Sequence, residues 1–346
     1  MDWWSKPVAA LSEHAGNAAR ERQQQLTKPP GSLGTLESLA IQFAAWQDRS
    51  DPQLDNVTIR IFAADHGVVA EGVSAFPQSV TVQMIHNFAA GGAAIAVLAR
   101  HCGASFAVIN VGTATPGTAL KGVVTLDLAP GTANFCRGPA MSDALVRRAL
   151  DSGAEHAPHT GNLFIGGEMG IGNTSSAAAL TSALLGLPAD ATVGRGTGVD
   201  DSGLALKCAA VQRGLDLHVT AGISALEILR CLGGLEIAAL VGAYIASAQR
   251  GVPVLVDGYI CSAAALVACR LNPGVRQWML FAHQSAEPGH RHLLRELGAE
   301  PLLDLGMRLG EGSGAAVALP LLQAACRLHN EMATFAEAGV SAGEAH

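Results

Sequence analysis

Charge is scarce in this chain. Lys, Arg, Asp and Glu make up 15% of its 346 residues, and the formal balance is −7. No basic cluster or aromatic ladder interrupts that acidic balance, which argues against nonspecific nucleic-acid binding. No apolar run approaches the ~20 residues needed to cross a bilayer. Leu235–Ala248 is interrupted by Glu236 and reads as a buried helix. The opening M-D-W-W-S-K lacks the basic-then-apolar order of a signal peptide. The seven cysteines, at 102, 136, 208, 231, 261, 269 and 326, are scattered, odd in number and free of any C-x-x-C. Neither a disulfide framework nor a structural zinc site is expected, and a soluble protein of the reducing cytoplasm fits. Several signatures are missing too: a P-loop, a G-x-G-x-x-G fingerprint, a G-x-S-x-G elbow and H-E-x-x-H.

What is present is apolar and small. Nearly half the chain (49%) is apolar, and Gly and Ala abound, as in a tightly packed enzyme-like protein. Short apolar runs alternate with helical stretches. Strands are predicted at 57–64, 105–111, 123–128 (an edge), 163–165, 252–256 and 278–282. Helices are predicted at 7–26, 35–47, 77–100 (broken near Gly91-Gly92), 142–152, from Thr174, after Asp200-Asp201-Ser202, at 235–249, 261–271 and 315–332. That alternation predicts an α/β fold, a mostly parallel sheet with right-handed crossovers. The first two helices precede any strand and are expected to form an appendage.

The stretch L-F-I-G-G-E-M-G-I-G-N-T-S-S (163–176) stands out. An apolar strand runs into four glycines and then an uncharged helix start capped by Asn173, Thr174, Ser175 and Ser176. Strand, glycine-rich turn and helix N-terminus together can cradle an anion. Such turns are also common where nothing binds, but Glu168 inside this one has little sense as packing. The reading is a site for a phosphorylated ligand with an acid beside it.

In an open parallel sheet, ligands sit beyond the carboxyl ends of the strands. The polar residues just after the predicted strands are Asp65, His66, Glu168, Asp257, His283 and Ser285, with Gly112 among them. They predict one active site along that edge. Glu311, between Gly310 and Gly312, is the sharpest single candidate. A solvated loop carboxylate beside a helix start would look similar. However, its apolar and small neighbours predict a pocket wall that raises the carboxyl pKa, as a general base near neutral pH needs. Lys207 and Arg195 are the cations to direct at a phosphate. His66, His283, His290 and His292 lack metal-ligand spacing, so no metal is expected.

Several segments resemble one family, the nicotinate-nucleotide–dimethylbenzimidazole phosphoribosyltransferases (CobT). They are K-P-P-G-S-L-G (28–34), A-D-H-G-V (64–68), E-G-V-S-A-F-P-Q (71–78), N-F-A-A-G-G-A-A-I (87–95), G-E-M-G-I-G-N-T (167–174), G-T-G-V-D-D (196–201), V-D-G (256–258), S-A-E-P-G-H (285–290) and R-L-G-E-G-S-G-A-A (308–316), in family order. The resemblance implies transfer of phosphoribose from nicotinate mononucleotide to 5,6-dimethylbenzimidazole, giving α-ribazole 5′-phosphate and nicotinate for the lower ligand of cobalamin. It implies Glu311 as general base and Glu168 beside the ribose and phosphate. Gly170, Gly172, Asn173, Thr174, Ser175, Lys207, Ser285 and Gly312 would bind phosphate and ribose. Asp65, His66, Ser74, Phe76, Met84 and Leu309 would shape the base pocket. Phe76 stands where many members have Tyr, Ser175 and Ser313 where Thr is commoner, and Arg195 where Lys is frequent.

The resemblance further implies a Rossmann-like sheet with helices on both faces, no metal or redox cofactor, and a homodimer. It implies a small helical domain from residues 1–50 and part of the C-terminal helix, a large catalytic domain over 51–310, and a catalytic loop and C-terminal helix over 311–346. Two rivals remain. One is another phosphoribosyl or nucleotide enzyme on this scaffold. The other is a noncatalytic nucleotide-binding or regulatory protein, which would be expected to lose Glu168 or Glu311.

Overall fold

A computed structural model describes residues 2–115, 119–196 and 198–341. Thr197 of G-T-G-V-D-D and the last five residues of the 311–346 segment lie outside the described residues.

The apolar runs form a single sheet of seven parallel strands: β1 Val57–Ala64, β2 Ser105–Gly112, β3 Val123–Thr125, β4 Leu163–Met169, β5 Val254–Val256, β6 Met279–His283 and β7 Pro301–Leu303. Their order across the sheet is β3-β2-β1-β4-β5-β6-β7. The chain therefore winds outward one way from β1 to β3, then returns to the other side of β1 with β4. This reversal opens a crevice between the carboxyl ends of β1 and β4, where doubly wound sheets bind ligands. In register, Phe62 lies beside Glu168 and Ala63 beside Met169.

Helices cover both faces, as the alternating pattern requires. They are α1 Glu13–Gln25, α2 Thr35–Gln47, α3 Ser79–Ala90, α4 Ala94–His101, α5 Asp143–His156, α6 Asn173–Leu185, α7 Ala189–Thr192, α8 Asp201–His218, α9 Ala225–Leu232, α10 Leu235–Gln249, α11 Tyr259–Leu271, α12 His290–Glu296, α13 Ser313–Glu331 and α14 Phe335–Ala338. α10 is apolar all round and buried along all but its last residue, with α5, α11 and the sheet against it. α5 and α10 meet backbone to backbone. A Cβ on Gly153 or Gly242 would overlap the facing carbonyl of Ala239 or Leu150.

Several boundaries differ from those the sequence predicts, each for a local reason. The first helix starts at Glu13, where the Ser12 side chain accepts from the amide of Ala15. The 77–100 stretch, which has the length and apolar composition of a membrane span, is two helices parted at a left-handed Gly91, and each is too short to cross a bilayer. The edge strand stops at Thr125, before Asp127 turns left-handed at φ 45°. β7, α7, α9, α12 and α14 are additions: β7 has three residues and opens on a proline, so no periodicity announces it. α2 packs on α13, and α1 is tied to the end of α13 by Arg22, whose guanidinium donates to the carbonyls of His329, Asn330 and Met332.

Candidate active site

Beyond the carboxyl ends of β4 and β5 lies a cavity of about 330 Å³. Of the residues predicted for the site, Phe76, Glu168, Gly170, Asn173, Thr174, Ser285, Leu309 and Glu311 line it. Thus the end of β4, which runs on to Met169 and so holds Glu168 in the strand rather than in the turn predicted for it, faces the Gly-Glu-Gly turn before α13, although 143 residues separate Glu168 from Glu311.

The Gly-Glu-Gly turn is built from three successive left-handed residues: Gly310 at φ 86°, Glu311 at 64° and Gly312 at 76°. A non-glycine residue tolerates this conformation only when its surroundings impose it. Two carboxylates do so. Glu168 Oε1 accepts from the amide of Glu311 at 3.4 Å. Asp257, at the end of β5, accepts from Gly312 N (3.2 Å) and Ala315 N (2.8 Å). Since Gly312 has no side chain to cap α13, Asp257 supplies that cap from another strand.

The electrostatics follow from this crowding of carboxylates. Burial and then the nearby negative charge of Asp257 push the Glu311 carboxyl up to about 7. Glu168 is raised well above the ordinary carboxylate range by burial, then by Glu236 and Asp257. Its Oε2 accepts a hydrogen bond from Asn173 Nδ2. A carboxyl that titrates near neutrality at a cavity wall is suited to taking up a proton.

The phosphate side is organised by α6 and Lys207. α6 begins at Asn173 after a left-handed Gly172, and its first turn carries no acidic side chain. Lys207 is buried, and its Nζ donates to Thr174 Oγ1 (2.8 Å) and the carbonyl of Gly194 (3.0 Å). Burial, opposed by Glu287, lowers it to about 8. Ser285 is held by His290: its amide donates to His290 Nδ1 at 2.8 Å, and His290 Nε2 lies 2.9 Å from Ser262 Oγ. With one ring nitrogen accepting and burial complete, His290 stays neutral, and burial followed by the charge of His283 lowers it to about 3.

Other predicted residues stand behind the cavity or beside it. Gly172, Ser175, Lys207 and Gly312 support its wall without lining it. Asp65 and His66 are fully buried. Thr81 Oγ1 donates to Asp65 (2.6 Å) and accepts from the amide of Ile171 (3.2 Å), so Asp65 anchors the glycine-rich turn from below. His66 Nε2 meets Glu236 Oε1 at 2.6 Å, and its Nδ1 meets Ser176 Oγ at 3.0 Å. Ser74 Oγ bonds the backbone of Phe76 and shapes the mouth, while Met84 packs on the core. Arg195 is paired at the surface with Asp201.

The cavity also holds residues that the sequence does not single out. Asp257 stands in the strand-end series without an assigned role. Glu287, inside S-A-E-P-G-H, lines the cavity near Lys207; its Oε1 accepts from Gly196 N at 3.2 Å, and Oε2 has no hydrogen-bond partner among the described residues. Tyr259, Ile260 and Cys261, from the start of α11, complete the apolar wall. Nothing in their local pattern marks them, since they read as an ordinary buried helix.

A phosphoribosyltransferase family model matches residues 8–340. The nicotinate-nucleotide–dimethylbenzimidazole phosphoribosyltransferase of Azotobacter vinelandii is 60% identical over 98% of each chain. The protein of that name from Pseudomonas aeruginosa is 58% identical over 99% of this chain and 98% of its own. The crystal structure of CobT from Thermus thermophilus superposes with a TM-score of 0.91 at 48% identity, covering 95% of this chain and 99% of that one.

Proposed function

The chain belongs to the family of nicotinate-nucleotide–dimethylbenzimidazole phosphoribosyltransferases, and we propose that Glu311 is the general base of its reaction. The reaction transfers phosphoribose from nicotinate mononucleotide to 5,6-dimethylbenzimidazole, giving α-ribazole 5′-phosphate and nicotinate. The observation that carries the role of Glu311 is its placement: a carboxyl at the cavity wall, held in a left-handed turn and raised to about 7 by burial and Asp257.

The chemistry asks for little acid catalysis of departure. The nicotinate ring of the mononucleotide is a pyridinium, so the electron pair of the breaking bond to the anomeric carbon neutralises the ring nitrogen. One benzimidazole nitrogen forms the new bond from the opposite face, which converts a β- to an α-glycosidic link. The other nitrogen must shed its proton, and Glu311 takes it while orienting the ring. The turn from Gly170 to Thr174, the N-terminus of α6 and Lys207 would hold the phosphate. Glu168 would face the ribose. Phe76 and Leu309, both exposed at the mouth, would bracket the incoming base.

Three further parts of the reading remain: a cytoplasmic location, which rests on the scattered cysteines, and a homodimer and a small helical domain, which rest on the family resemblance. The ties from Arg22 to the end of α13 and the packing of α2 on α13 support the last, with α1, α2 and the far half of α13 as its helices.

The test is nicotinate release from the mononucleotide, with and without dimethylbenzimidazole, for wild type and Glu311→Gln. Base-dependent release that falls at least ~100-fold in the variant is expected of a lost general base. Unchanged release in the variant would remove Glu311 from that role. No release from wild type with any benzimidazole or purine would favour a noncatalytic nucleotide-binding protein.

A further inference from the structure

His283 ends β6 and is almost fully buried, outside the cavity lining. Its Nε2 lies 3.6 Å from Asp257 Oδ1, an ion-pair contact too long for a hydrogen bond. The ring is wedged between two glycines. A Cβ on Gly258 would come 3.1 Å from Nε2, and one on Gly314 would overlap Cδ2 while lying 2.9 Å from Asp257 Oδ1. Gly314 is in the first turn of α13 and Gly258 is the residue before α11. The imidazole thus occupies the space between the end of β5 and the helix that starts at the Glu311 turn.

Asp257 is the residue that this contact serves. Both its oxygens accept amides at the start of α13, an acceptor-only task that the carboxylate performs. It does so beside Glu311, which repels it once deprotonated. A cation behind Asp257 offsets that repulsion, and His283 is the titratable group placed to supply one.

We propose that His283 is a positioning residue, whose imidazolium holds Asp257 against the amides of Gly312 and Ala315 and thereby fixes the turn that presents Glu311. This rests on Glu311 being the general base. The charged and titratable groups around the imidazole are consistent with the role. Asp257 faces it from the end of β5. Asp304, after β7, adds negative charge. His290 of α12, with ring centroid 6.4 Å away, is neutral and does not compete. Glu311 and Glu168 lie beyond Asp257. Burial is the largest single influence and depresses His283, but Asp257, the backbone of Gln284 and Asp304 together hold the imidazole above its ordinary range.

The test compares wild type with His283→Gln, which keeps a donor near Asp257 and loses the charge. At neutral pH, kcat for base-dependent nicotinate release should fall about 10- to 100-fold, as expected when a catalytic group is displaced, with KM for nicotinate mononucleotide changed less than about threefold. The acid limb of the pH profile should move upward by about half a unit to one unit, because Asp257 then acts on Glu311 unopposed. Raising the pH removes the charge from wild-type His283 as well, so the two proteins should converge at alkaline pH. A merely structural defect would lower kcat equally at every pH and leave the limb in place, and that result overturns the proposal.

Should the variant not fold, wild type labelled with 13C in its twelve histidines answers the question. One imidazole should titrate above the ordinary histidine range and shift on Asp257→Asn; the absence of such a resonance overturns the proposal. The two readings fail separately. If Glu311→Gln stays active, the general-base assignment falls; if Glu311→Gln is inactive and the His283→Gln limb is unmoved, only the role of His283 falls.

Discussion

Glu168 Oε1 accepts the backbone amide of Glu311 at 3.4 Å, so one carboxylate of the site holds the peptide of the other. Glu168 lies near the end of β4 and Glu311 in a turn far along the chain, and their pairing fixes a backbone that a glutamate does not adopt unaided. The strain is confined to one turn, and Asp257 shares in imposing it. Asp257, which helps to hold the turn, also adds to the burial that raises the Glu311 carboxyl.

Turnover should therefore depend on pH. Glu311 acts as a base only when deprotonated, so base-dependent turnover should rise through pH about 7 and be mostly lost by pH 6. Steady-state rates from pH 5.5 to 8.5 at saturating substrates check this. A flat profile would exclude a base of that kind.

Stability should move the other way. A carboxyl with a raised folded pKa favours the fold below its unfolded value, near 4.5, and that contribution is lost as pH rises through about 7. Glu311→Gln should therefore be more stable than wild type at pH 8.5, by about 1–3 kcal/mol. The gap should close towards pH 4.5. Paired denaturant titrations at the two pH values measure it, and a gap independent of pH would contradict it.

Gly167 faces the Glu311 turn. A Cβ there would sit 2.6 Å from the carbonyl carbon and oxygen of Glu311 and 2.6 Å from Ile61 Cδ1. Backbone on one side and a core strand on the other leave little room to yield. Gly167→Ala should lower kcat by about 10- to 100-fold while circular dichroism stays native, since a shift of about 1 Å in a catalytic group has that effect. Wild-type kcat in a folded Gly167→Ala protein would mean that the turn is not held as described.

Lys207 offers a test of the phosphate side. Burial brings it to about 8, so its charge, and with it affinity for the phosphate, should decline above that pH. KM for nicotinate mononucleotide should rise above pH 8 in wild type. In Lys207→Met it should be about 10- to 100-fold higher below pH 8, the worth of one charged hydrogen bond, and lack the alkaline rise, so that the two proteins draw together above that pH. A variant with unchanged KM would place the phosphate elsewhere.

The buried pair of His66 and Glu236 should matter to the fold more than to the chemistry. Both side chains are fully buried, His66 meets Glu236 through Oε1, and Glu236 Oε2 has no hydrogen-bond partner among the described residues. His66→Ala would strand a carboxyl in the core and should cost about 3–5 kcal/mol of unfolding free energy. Chemical denaturation measures the loss directly; a cost below about 1 kcal/mol would show that Glu236 is relieved in some other way.

Much of this protein was determined locally and is legible residue by residue. Short apolar runs between helical periods specify a parallel sheet, because strands buried on both faces leave no room for alternation. The glycines around Glu168 and Glu311 mark close approach and left-handed backbone, which is why both turns stand out in the sequence alone. The rest was decided by which strand ends became neighbours. Asp65, His66 and Asp257 follow strands and His283 ends one, yet Asp257 reaches the cavity, His283 stands behind it, and Asp65 and His66 are sealed beneath α3 and α10. Asp257 became the cap of α13 and Glu287 a neighbour of Lys207 through pairing across the sheet, over separations of 58 and 91 residues in the bonds that hold them. No local propensity carries that information. It arises from the strand order β1-β4-β5-β6, which burial of the whole sheet selects at once.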